Sequence, residues 1–478
     1  MKKIYWLTLL FVSFMSCTGF ANKNVTSGQI SKNIDEALKT FGENINIGIL
    51  VQDAKTAKVL YKRNADRYFM PASNEKLFTA LAALESFSPD FSYQTRLFVD
   101  KTKIKNGILQ DNIYIQFSGD PRLTSEQLEQ LLGSLAQAEI KKIKGAVIID
   151  DTAFDNEAMS PGTTWDDKDF CWGAPVSALI INQNCANATL VPAARPGQPA
   201  TLKLPAYPQP IRFINQVTTQ APATKDCAIK VKPEGDKTYA ISGCIKTNAQ
   251  PQNVTMAISG PRENTRLLVN YLLKKNHIKV SKKIEFRKMS PSPVEVFSKQ
   301  DSLPFKALIT TMLKESDNGI AESLFKTIGA LYTHEAGSFT NGNNAVRAIL
   351  AEAAHLNFPP TTLIDGSGAS RYNFITPEQV VALLQKAFYS DYAAYFISSL
   401  PVSGVDGTLK DRMKDPLTRG TVHAKTGSMS AVSSLSGYLE TKTKRTLIFS
   451  IMINGFVDSP EKYKALEDKL CAILIKSS

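Results

Sequence analysis

Three short motifs, far apart in the chain, most constrain how this sequence can fold, because their side chains are useful only if folding brings them together. They are, in chain order, Ser73-Asn74-Glu75-Lys76, Ser316-Asp317-Asn318 and Lys425-Thr426-Gly427. Together they supply a nucleophile, a base, a proton relay and a cationic anchor for a carboxylate. The chain must therefore return three times to one site, although 239 residues lie between Lys76 and Ser316.

The Ser-x-x-Lys pattern is weak by itself, since it recurs at Ser323 and at Ser459. Chain order separates the three matches, because the other two follow Ser316. Ser73 comes directly after Met70-Pro71-Ala72, where the proline suits the entry to a helix, and leucines at helical spacing follow it. A helix would place Lys76 one turn along on the same face as Ser73. The alternative interpretation of Ser73 is a helix N-cap beside a solvated lysine.

The N-terminus has the pattern of a secretory signal. Lys2 and Lys3 precede an apolar run over 4–15, and Gly19-Phe20-Ala21 is a small-x-small cleavage site. The run is too short for a stable transmembrane anchor. We therefore expect residues 1–21 to be removed after Ala21, with lipid attachment at Cys17 as the alternative. No other segment approaches a transmembrane span, so we expect a soluble protein that is secreted across the inner membrane into the periplasm.

The chain is basic, with a formal charge of +12 that becomes +10 when the two signal lysines are removed. Such an excess can favour nucleic acid, acidic membranes or anionic polymers. The lysines are scattered and no aromatic stacking motif accompanies them, so we expect no nucleic-acid partner. An acidic wall polymer suits an exported protein better, although a generally solvated basic surface explains the charge as well.

Cysteine usage agrees with export. Five cysteines remain after cleavage, at positions 171, 185, 227, 244 and 471. Spacings of 14 and 17 residues favour bridges from Cys171 to Cys185 and from Cys227 to Cys244, although four cysteines allow three connectivities. We expect these bridges to brace the inserted region and not the active site. Cys471 would be a buried thiol in a C-terminal helix, and the absence of Cys-x-x-Cys disfavours zinc.

Both ends of the chain are rich in strand patterns. A hairpin is predicted over 45–52 and 59–61, and three more strands over 421–426, 433–440 and 446–453, followed by a helix over 461–476. Helices are predicted between them over 305–315, 319–332, 342–356 and 376–390. The pattern indicates an α+β domain in which one antiparallel sheet is assembled from both ends of the chain.

The stretch between Lys76 and Ser316 is too long to be a loop. Its strand patterns are frequent, and one helix over 125–138 begins with a capping box from Thr124 to Gln127. We expect a discontinuous catalytic domain over 22–88 and 290–478, interrupted by an inserted region over 89–289 that holds two β-rich domains.

Several further segments accompany the three motifs. They are Phe69-Met70-Pro71-Ala72-Ser73-Asn74, Ser118-Gly119-Asp120-Pro121, Gly173-Ala174-Pro175-Val176-Ser177-Ala178, Asp365-Gly366-Ser367-Gly368-Ala369-Ser370-Arg371 and Ala424-Lys425-Thr426-Gly427-Ser428. With these, nearly the whole mature chain resembles the low-molecular-mass class C penicillin-binding proteins, the D-alanyl-D-alanine carboxypeptidase/endopeptidase family of the penicillin-binding protein 4 type. The long insertion after the nucleophile helix is itself typical of that family.

The resemblance implies a penicillin-recognising serine transferase domain and assigns roles to the motif residues. Ser73 would attack, Lys76 would be its base, and Ser316 would relay the proton to the leaving D-alanine. Asn318 would hold Lys76 and the substrate amide. The substrate's terminal carboxylate would bind Lys425, with Thr426, Gly427 and Ser428 beside it, and the backbone N–H groups of Ser73 and Ser428 would form the oxyanion hole.

Family resemblance also suggests a pocket for the diaminopimelate side chain of a stem peptide. Asp167 would contact its free amino group, Trp172 its aliphatic stem and Arg371 its carboxylate. Ser430 stands where some relatives carry glutamine, and Asp167 can also be read as one more solvated acid. Histidine, the usual base, occurs four times, and we interpret His423, two residues before Lys425, as structural. We expect no metal and no cofactor.

The sequence therefore predicts an exported serine D,D-peptidase that acts on peptidoglycan stem peptides and is acylated by β-lactam antibiotics. A β-lactamase with the same three motifs is the rival enzyme, but no Glu-x-x-Leu-Asn segment supplies a water-activating glutamate, and the long insertion is foreign to that group. A catalytically silent wall-binding or scaffolding protein is the rival from another class. The intact Ser73, Lys76, Ser316 and Lys425 count against it.

Overall fold

The computed structural model describes residues 27–41, 44–235, 237–289, 295–359 and 362–477. The expected signal sequence over 1–21, with Cys17, lies outside the described residues. Of the helices that the structure does describe, none is long and apolar enough to cross a membrane.

Ten α-helices lie in the described part of the chain. They are α1 (Ser27–Leu38), α2 (Glu75–Ser86), α3 (Ser125–Gln137), α4 (Pro261–Lys275), α5 (Phe305–Lys314), α6 (Asn318–Thr333), α7 (Phe339–Ala354), α8 (Pro377–Phe388), α9 (Ala393–Ser399) and α10 (Pro460–Lys476). Helix α3 begins with the capping box expected from Thr124 and Gln127. Helix α4 was not predicted from the sequence.

The described part of the chain also forms 21 strands, which make up five sheets. The strands are β1 (Asn46–Asp53), β2 (Val59–Arg63), β3 (Gln94–Phe98), β4 (Ile104–Lys105), β5 (Ile108–Leu109), β6 (Ile113–Gln116), β7 (Lys142–Ile143), β8 (Val147–Asp150), β9 (Cys185–Val191), β10 (Thr201–Lys203), β11 (Arg212–Asn215), β12 (Thr218–Gln220), β13 (Ile229–Pro233), β14 (Thr238–Lys246), β15 (Gln252–Ala257), β16 (Lys279–Val280), β17 (Ile284–Phe286), β18 (Val296–Asp301), β19 (Val422–Met429), β20 (Val432–Glu440) and β21 (Thr446–Asn454). The expected α+β class is confirmed.

The sheet that carries the third motif has the order β19-β20-β21-β1-β2 and is antiparallel throughout. Strand β1 from the N-terminal end pairs with β21 from the C-terminal end over its whole length, from Asn46 opposite Asn454 to Asp53 opposite Leu447. The two ends of the chain therefore build one sheet, and β19 lies at its edge.

Helices cover both faces of this sheet, which explains why β20 and β21 are buried almost throughout and not on alternate residues. Ile49 and Ile451 point toward a core shared with α1 and α10. Their neighbours Leu50 and Met452 point toward the opposite core, formed with α2 and α5 to α9. Burying each such side chain stabilises the fold by about 1.5–3 kcal/mol.

The stretch 94–301, which spans the expected insertion and the strand after it, forms the other four sheets. Its largest sheet has the order β17-β8-β6-β3-β18, in which β6, β8 and β17 are parallel and are connected through α3 and α4. These two helices bury leucines against the sheet. Strand β18 follows the insertion in sequence yet pairs with β3, so both strands that connect the insertion to the catalytic sheet's domain lie side by side.

Two disulfides join Cys171 to Cys185 and Cys227 to Cys244, the pairs that the spacing favoured. The second holds β14 within the small sheets of the insertion. The first ties a short 3-10 turn over 171–173 to the start of β9. Cys471 is a buried thiol in α10, as expected.

Candidate active site

Ser73 lies in a 3-10 turn, Ala72–Asn74, that runs directly into α2. The backbone φ of Ala72 is 47°, in the left-handed region that side chains other than glycine seldom adopt, so the turn before the nucleophile is strained. From this turn the helix places Lys76 one turn further on, and its side chain is fully buried. Ser73 and Lys76 therefore lie next to each other, as the helical spacing predicted.

The ammonium or amine group of Lys76 has three partners. Nζ lies 3.0 Å from Ser73 Oγ, 2.7 Å from Asn318 Oδ1 and 2.7 Å from the carbonyl oxygen of Ser367. A neutral amine has two N–H donors and one lone pair. The amide and carbonyl oxygens can accept only, so they take the two donors, and the lone pair is left to accept the Ser73 hydroxyl. This geometry fits a base.

Burial is the main influence on the protonation of Lys76, and it lowers the pKa to about 8. Four carboxylates, those of Glu322, Asp365, Asp317 and Glu75, act in the opposite direction. A neutral fraction on the order of a tenth is therefore available at pH 7, far more than for an ordinary lysine. Burial of Lys76 and the charges of the described residues around it are enough to produce this neutral fraction.

The second motif connects α5 to α6. Ser316 has φ of 60°, a left-handed conformation that turns the chain between the two helices. Asp317 is the N-cap of α6, since its Oδ1 accepts the N–H of Ile320 at 2.9 Å, and its Oδ2 pairs with Arg122 at 2.9 Å. Asn318, the first residue of the helix, points its amide at Lys76. The motif is thus both a helix cap and part of the site.

The third motif lies on the edge strand β19. Lys425 is fully buried, and its Nζ lies 2.9 Å from Ser316 Oγ and 2.9 Å from the carbonyl oxygen of Thr426. Burial, followed by the charge of Lys76, lowers the pKa of Lys425 well below its usual range. Repulsion between the two lysines therefore lowers the pKa of Lys425, and no carboxylate of the described residues acts on this pKa in the opposite direction. A substrate anion beside Lys425 would supply the missing negative charge.

Two residues that fix β19 against the nucleophile turn were not predicted. The Asn74 amide donates to the Lys425 carbonyl at 3.2 Å and to Ser434 Oγ at 2.8 Å. Ser434 Oγ in turn donates to the Pro71 carbonyl at 2.8 Å. Gly427 lies in the same place, and a Cβ on it would be 2.1 Å from Ser434 Oγ and 2.6 Å from the Pro71 carbonyl oxygen. Asn74 stands inside the first motif, which was a signal for it, whereas Ser434 stands only in a predicted strand and had none.

A group of buried carboxyls behind Lys76 was also missed. Glu322 on α6 accepts the N–H groups of Gly366 and Ser367 at 2.9 and 3.2 Å, and burial raises its pKa to about 8. Burial likewise raises the pKa of Glu75 well above its usual range, and its Oε2 has no partner among the described residues. An acid on the apolar face of a predicted helix was the signal for Glu322.

Ser73 and Ser316 open into a pocket of about 280 Å³. Its remaining lining residues are Thr408, Arg412, Thr426, Ser428 and Lys464. Hydroxyls and cations dominate this wall, and the hydroxyls of Thr408 and Thr426 lie 2.7 Å apart. Arg412 and Lys464 were not predicted. The composition suits an anionic, hydrogen-bonding ligand.

Of the residues expected to hold a diaminopimelate side chain, Asp167 and Trp172 are in contact. Trp172 Nε1 donates to Asp167 Oδ1 at 3.2 Å, and Thr164 Oγ1 donates to Oδ2 at 2.5 Å. The Trp172 ring is 56% exposed, and its carbonyl oxygen accepts the Asn318 amide at 2.8 Å. The loop that carries Asp167 is thus joined to the site, and the Cys171–Cys185 bridge adjoins the site as well as the insertion.

Arg371 reaches the same region from another segment. Its backbone N–H donates to the carbonyl of Gly162 at 3.0 Å, and its guanidinium donates to the carbonyl of Ser430 at 3.0 Å. The segment that carries Arg371 therefore lies against the loop that leads to Asp167. Their roles toward a ligand remain predictions.

The histidines lie outside the hydrogen-bonded site. His334 and His355 end α6 and α7 in the left-handed conformation, and His277 has the same conformation after α4. His423 is partly buried, burial lowers its pKa, and its Nδ1 has no partner among the described residues. No described contact brings it to Ser73.

The profile of the D-Ala-D-Ala carboxypeptidase 3 (S13) family matches residues 30–476. The D-alanyl-D-alanine carboxypeptidase DacB of Haemophilus influenzae is 30% identical over 455 residues, which cover 94% of this chain and 91% of that protein. A D-alanyl-D-alanine carboxypeptidase of Actinomadura sp. (strain R39) is 32% identical over 421 residues, covering 85% and 77%.

A comparison with solved structures finds a similar fold in the same family of enzymes. Penicillin-binding protein 4 (dacB) from Haemophilus influenzae superposes with a TM-score of 0.79 at 28% identity, over 92% of this chain and 98% of that one. That protein has also been solved in complex with a novel β-lactam. The predatory peptidoglycan endopeptidase Bd3459 of Bdellovibrio bacteriovorus shares the fold, with a TM-score of 0.51 at 18% identity.

Proposed function

The chain belongs to the D-Ala-D-Ala carboxypeptidase 3 (S13) family, and we propose that it hydrolyses D-alanyl-D-alanine-type bonds in peptidoglycan stem peptides through an acyl-enzyme on Ser73. Carboxypeptidase action would remove a terminal D-alanine, and endopeptidase action would cut the same bond type in a cross-link. The observation that carries the proposal is the placement of Ser73 Oγ 3.0 Å from a buried lysine whose two other partners can only accept.

In the first step the neutral Lys76 amine accepts the Ser73 hydroxyl proton while Oγ bonds to the carbonyl carbon of the penultimate D-alanine. The carbonyl oxygen becomes an oxyanion, which the backbone N–H groups of Ser73 and Ser428 would stabilise. The C–N bond then breaks, and the leaving amine takes a proton through Ser316. The proton that reaches the amine is the one that Lys76 took from Ser73. Water then attacks the ester carbon while Lys76 takes one of its protons, the bond from that carbon to Ser73 Oγ breaks, and Lys76 returns the proton to Oγ.

Lys425 supports both the proton relay and substrate binding. Its Nζ contacts Ser316 Oγ, so its charge favours proton donation from that hydroxyl to the leaving group. A terminal carboxylate beside Lys425 would also raise the lowered pKa of this lysine and keep it charged. Arg412 at the pocket wall is already paired with Glu467 and Asp468, so the attraction for an anion rests on Lys425.

Asp167, Trp172 and Arg371 are the proposed pocket for the diaminopimelate side chain. Asp167 would accept the free amine, the exposed Trp172 ring would cover the aliphatic stem, and Arg371 would pair with the side-chain carboxylate. The contact of the Trp172 carbonyl with Asn318 supports the proposal, because it joins this pocket to the amide that holds Lys76.

β-Lactams would acylate Ser73 in the same way, since their strained amide presents a carbonyl carbon and a carboxylate to the same groups. A β-lactam complex is known for the Haemophilus influenzae relative. We also propose that the protein is exported and acts in the periplasm, where its two disulfides can form and its substrate lies.

The test compares two reactions of the purified protein. Labelled penicillin should attach to Ser73, located by mass spectrometry, and a pentapeptide ending in D-alanyl-D-alanine should release D-alanine. An adduct on Ser323 or Ser459 would contradict the assignment. Fast penicillin turnover without D-alanine release would indicate a β-lactamase, and neither reaction would indicate a silent wall-binding protein.

A further inference from the structure

A buried carboxylate lies behind the proposed base and contacts neither Ser73 nor the pocket that Ser73 lines. Glu322 is one turn after Asn318 on α6 and is 5% exposed. Its two oxygens accept the consecutive backbone N–H groups of Gly366 and Ser367. The carbonyl of Ser367 accepts Lys76 Nζ at 2.7 Å. One backbone segment thus connects the carboxylate to the lysine.

We propose that Glu322 is a positioning residue for Lys76: by holding the 366–367 backbone it aims the Ser367 carbonyl at one N–H of the lysine, so that the lone pair faces Ser73. This inference rests on the function proposed above. It adds a residue outside the three motifs to the machinery that makes Lys76 a base.

The geometry indicates that Glu322 does more than fill space in the core: it also directs the Ser367 carbonyl. A lysine side chain has four rotatable bonds, so its lone pair is directed only if its N–H groups are fixed. Asn318 fixes one and Ser367 the other. Asn318 is held by α6, whereas Ser367 lies in a loop and depends on side chains. A carboxylate that accepts two successive N–H groups is such a support.

The segment has a second support, which makes a variant at Glu322 practical. Thr79 Oγ1 on α2 donates to the Gly366 carbonyl at 2.7 Å. Asp365 accepts the N–H groups of Gly368 and Ser370 at 2.8 and 2.7 Å. Without Glu322, the Ser367 carbonyl is therefore no longer held in one direction, but the loop keeps its contacts with Thr79 and Asp365.

The charged groups around Glu322 determine how the rate of Ser73 acylation should depend on pH. Asp365 faces it from the loop, Glu75 and Lys76 face it from α2, and Lys326 lies one turn along α6. The negative charge of Glu322 raises the pKa of Lys76. Burial raises the pKa of Glu322 itself to about 8, so this charge forms in the same pH range in which Lys76 loses its proton, and Glu322 is a full carboxylate acceptor for both N–H groups only toward the upper end of that range.

The experiment measures the rate of Ser73 acylation by labelled penicillin between pH 5 and 9 in the full chain, about the range over which Lys76 titrates. In the wild type the rate should rise with pH as Lys76 loses its proton. For Glu322→Gln, which replaces two acceptor oxygens with one, we expect the maximal rate to fall about 10- to 100-fold and the midpoint not to move up, since no carboxylate then opposes loss of the Lys76 proton. A maximal rate equal to that of the wild type, or a midpoint that moves up, would overturn the proposal.

Glu322→Asp separates position from charge and serves if Glu322→Gln does not fold. The shorter side chain keeps the charge but cannot reach both N–H groups, so the maximal rate should fall about 10- to 100-fold while the midpoint stays. An unchanged maximal rate would overturn the proposal. Glu335→Gln, at an exposed site beyond α6, is the control for loss of a charge. Absence of any Ser73 adduct in the wild type would instead refute the proposed function.

Discussion

At the scale of single residues, the site depends on how closely β19 approaches the nucleophile turn. Gly427 has no side chain at the point where Ser434 and the Pro71 carbonyl come nearest. Its backbone conformation is an ordinary extended one, so the requirement for glycine is one of space. The close approach sets the distance between Lys425 and the turn that carries Ser73.

We predict that Gly427→Ala lowers the rate of penicillin acylation by about 10- to 100-fold, because the added Cβ would push β19 away from a backbone carbonyl that cannot move cheaply. The measurement is the acylation rate alongside the thermal unfolding midpoint. Gly133→Ala on α3 is the matched control, since its nearest neighbour is 3.7 Å away, and alanine there stabilises a helix by up to about 1 kcal/mol. A wild-type rate for Gly427→Ala would show that β19 can shift freely.

At the scale of elements, the loop between β8 and β9 has both structural and proposed binding contacts. Asp167 accepts hydrogen bonds from Thr164 and Trp172, so replacement by alanine would disturb the loop as well as remove a charge. The Phe170 and Trp172 rings stack with centroids 4.3 Å apart and give the loop an aromatic surface. A variant that separates charge from loop structure is therefore needed.

Asp167→Asn should weaken cleavage of peptides that carry diaminopimelate by about 10- to 100-fold in kcat/KM while penicillin acylation stays near the wild-type rate. The asparagine oxygen can still accept from Trp172 Nε1, but the charge-assisted contact with the amine, of about 1.5–3 kcal/mol, is lost. The two reactions are measured on the same preparation. Equal losses toward both would mean that Asp167 is structural and that the proposed pocket is wrong.

At the scale of the whole molecule, an ion pair joins α6 to the loop after β8. Lys326 on α6, with a side chain that is 0% exposed, lies 2.9 Å from Asp155 at the start of the loop after β8. Its Nζ also donates to the carbonyl of Glu157 and lies 4.4 Å from the centre of the Phe339 ring. The Ser323-x-x-Lys326 pattern thus has a structural explanation that differs from catalysis.

We predict that Lys326→Met destabilises this junction by about 1–3 kcal/mol, because it leaves Asp155 and a buried carbonyl without their donor. The thermal unfolding midpoint of the protein should fall, and a protease should cut the loop that follows residue 153 more rapidly. Lys462→Met is the control, since its partner Asp458 and the lysine itself are each about half exposed and such pairs contribute about 0–1 kcal/mol. Equal midpoints for the two variants would contradict a role for the Lys326 pair.

Much of this molecule could be predicted locally. Helical spacing after Ser73 predicted α2, alternation and turns predicted β1, β2 and β19 to β21, and the long separation between motifs predicted an insertion. The α+β class and the family followed from motifs that keep their order. These features depend on neighbours in sequence, where backbone periodicity and turn chemistry act directly.

What tertiary structure alone decided lies between distant segments. The lone-pair direction of Lys76 requires Asn318 and the Ser367 carbonyl, the space at Gly427 requires Pro71 and Ser434, and the buried carboxyl of Glu322 requires the 366–367 backbone. Apart from Ser434, which faces Gly427 across the β19–β20 hairpin, these partners are far in sequence from the residue they affect. Hydrogen bonds, burial and pKa values depend on distances in space over a few ångströms, and those distances exist only after the chain has folded.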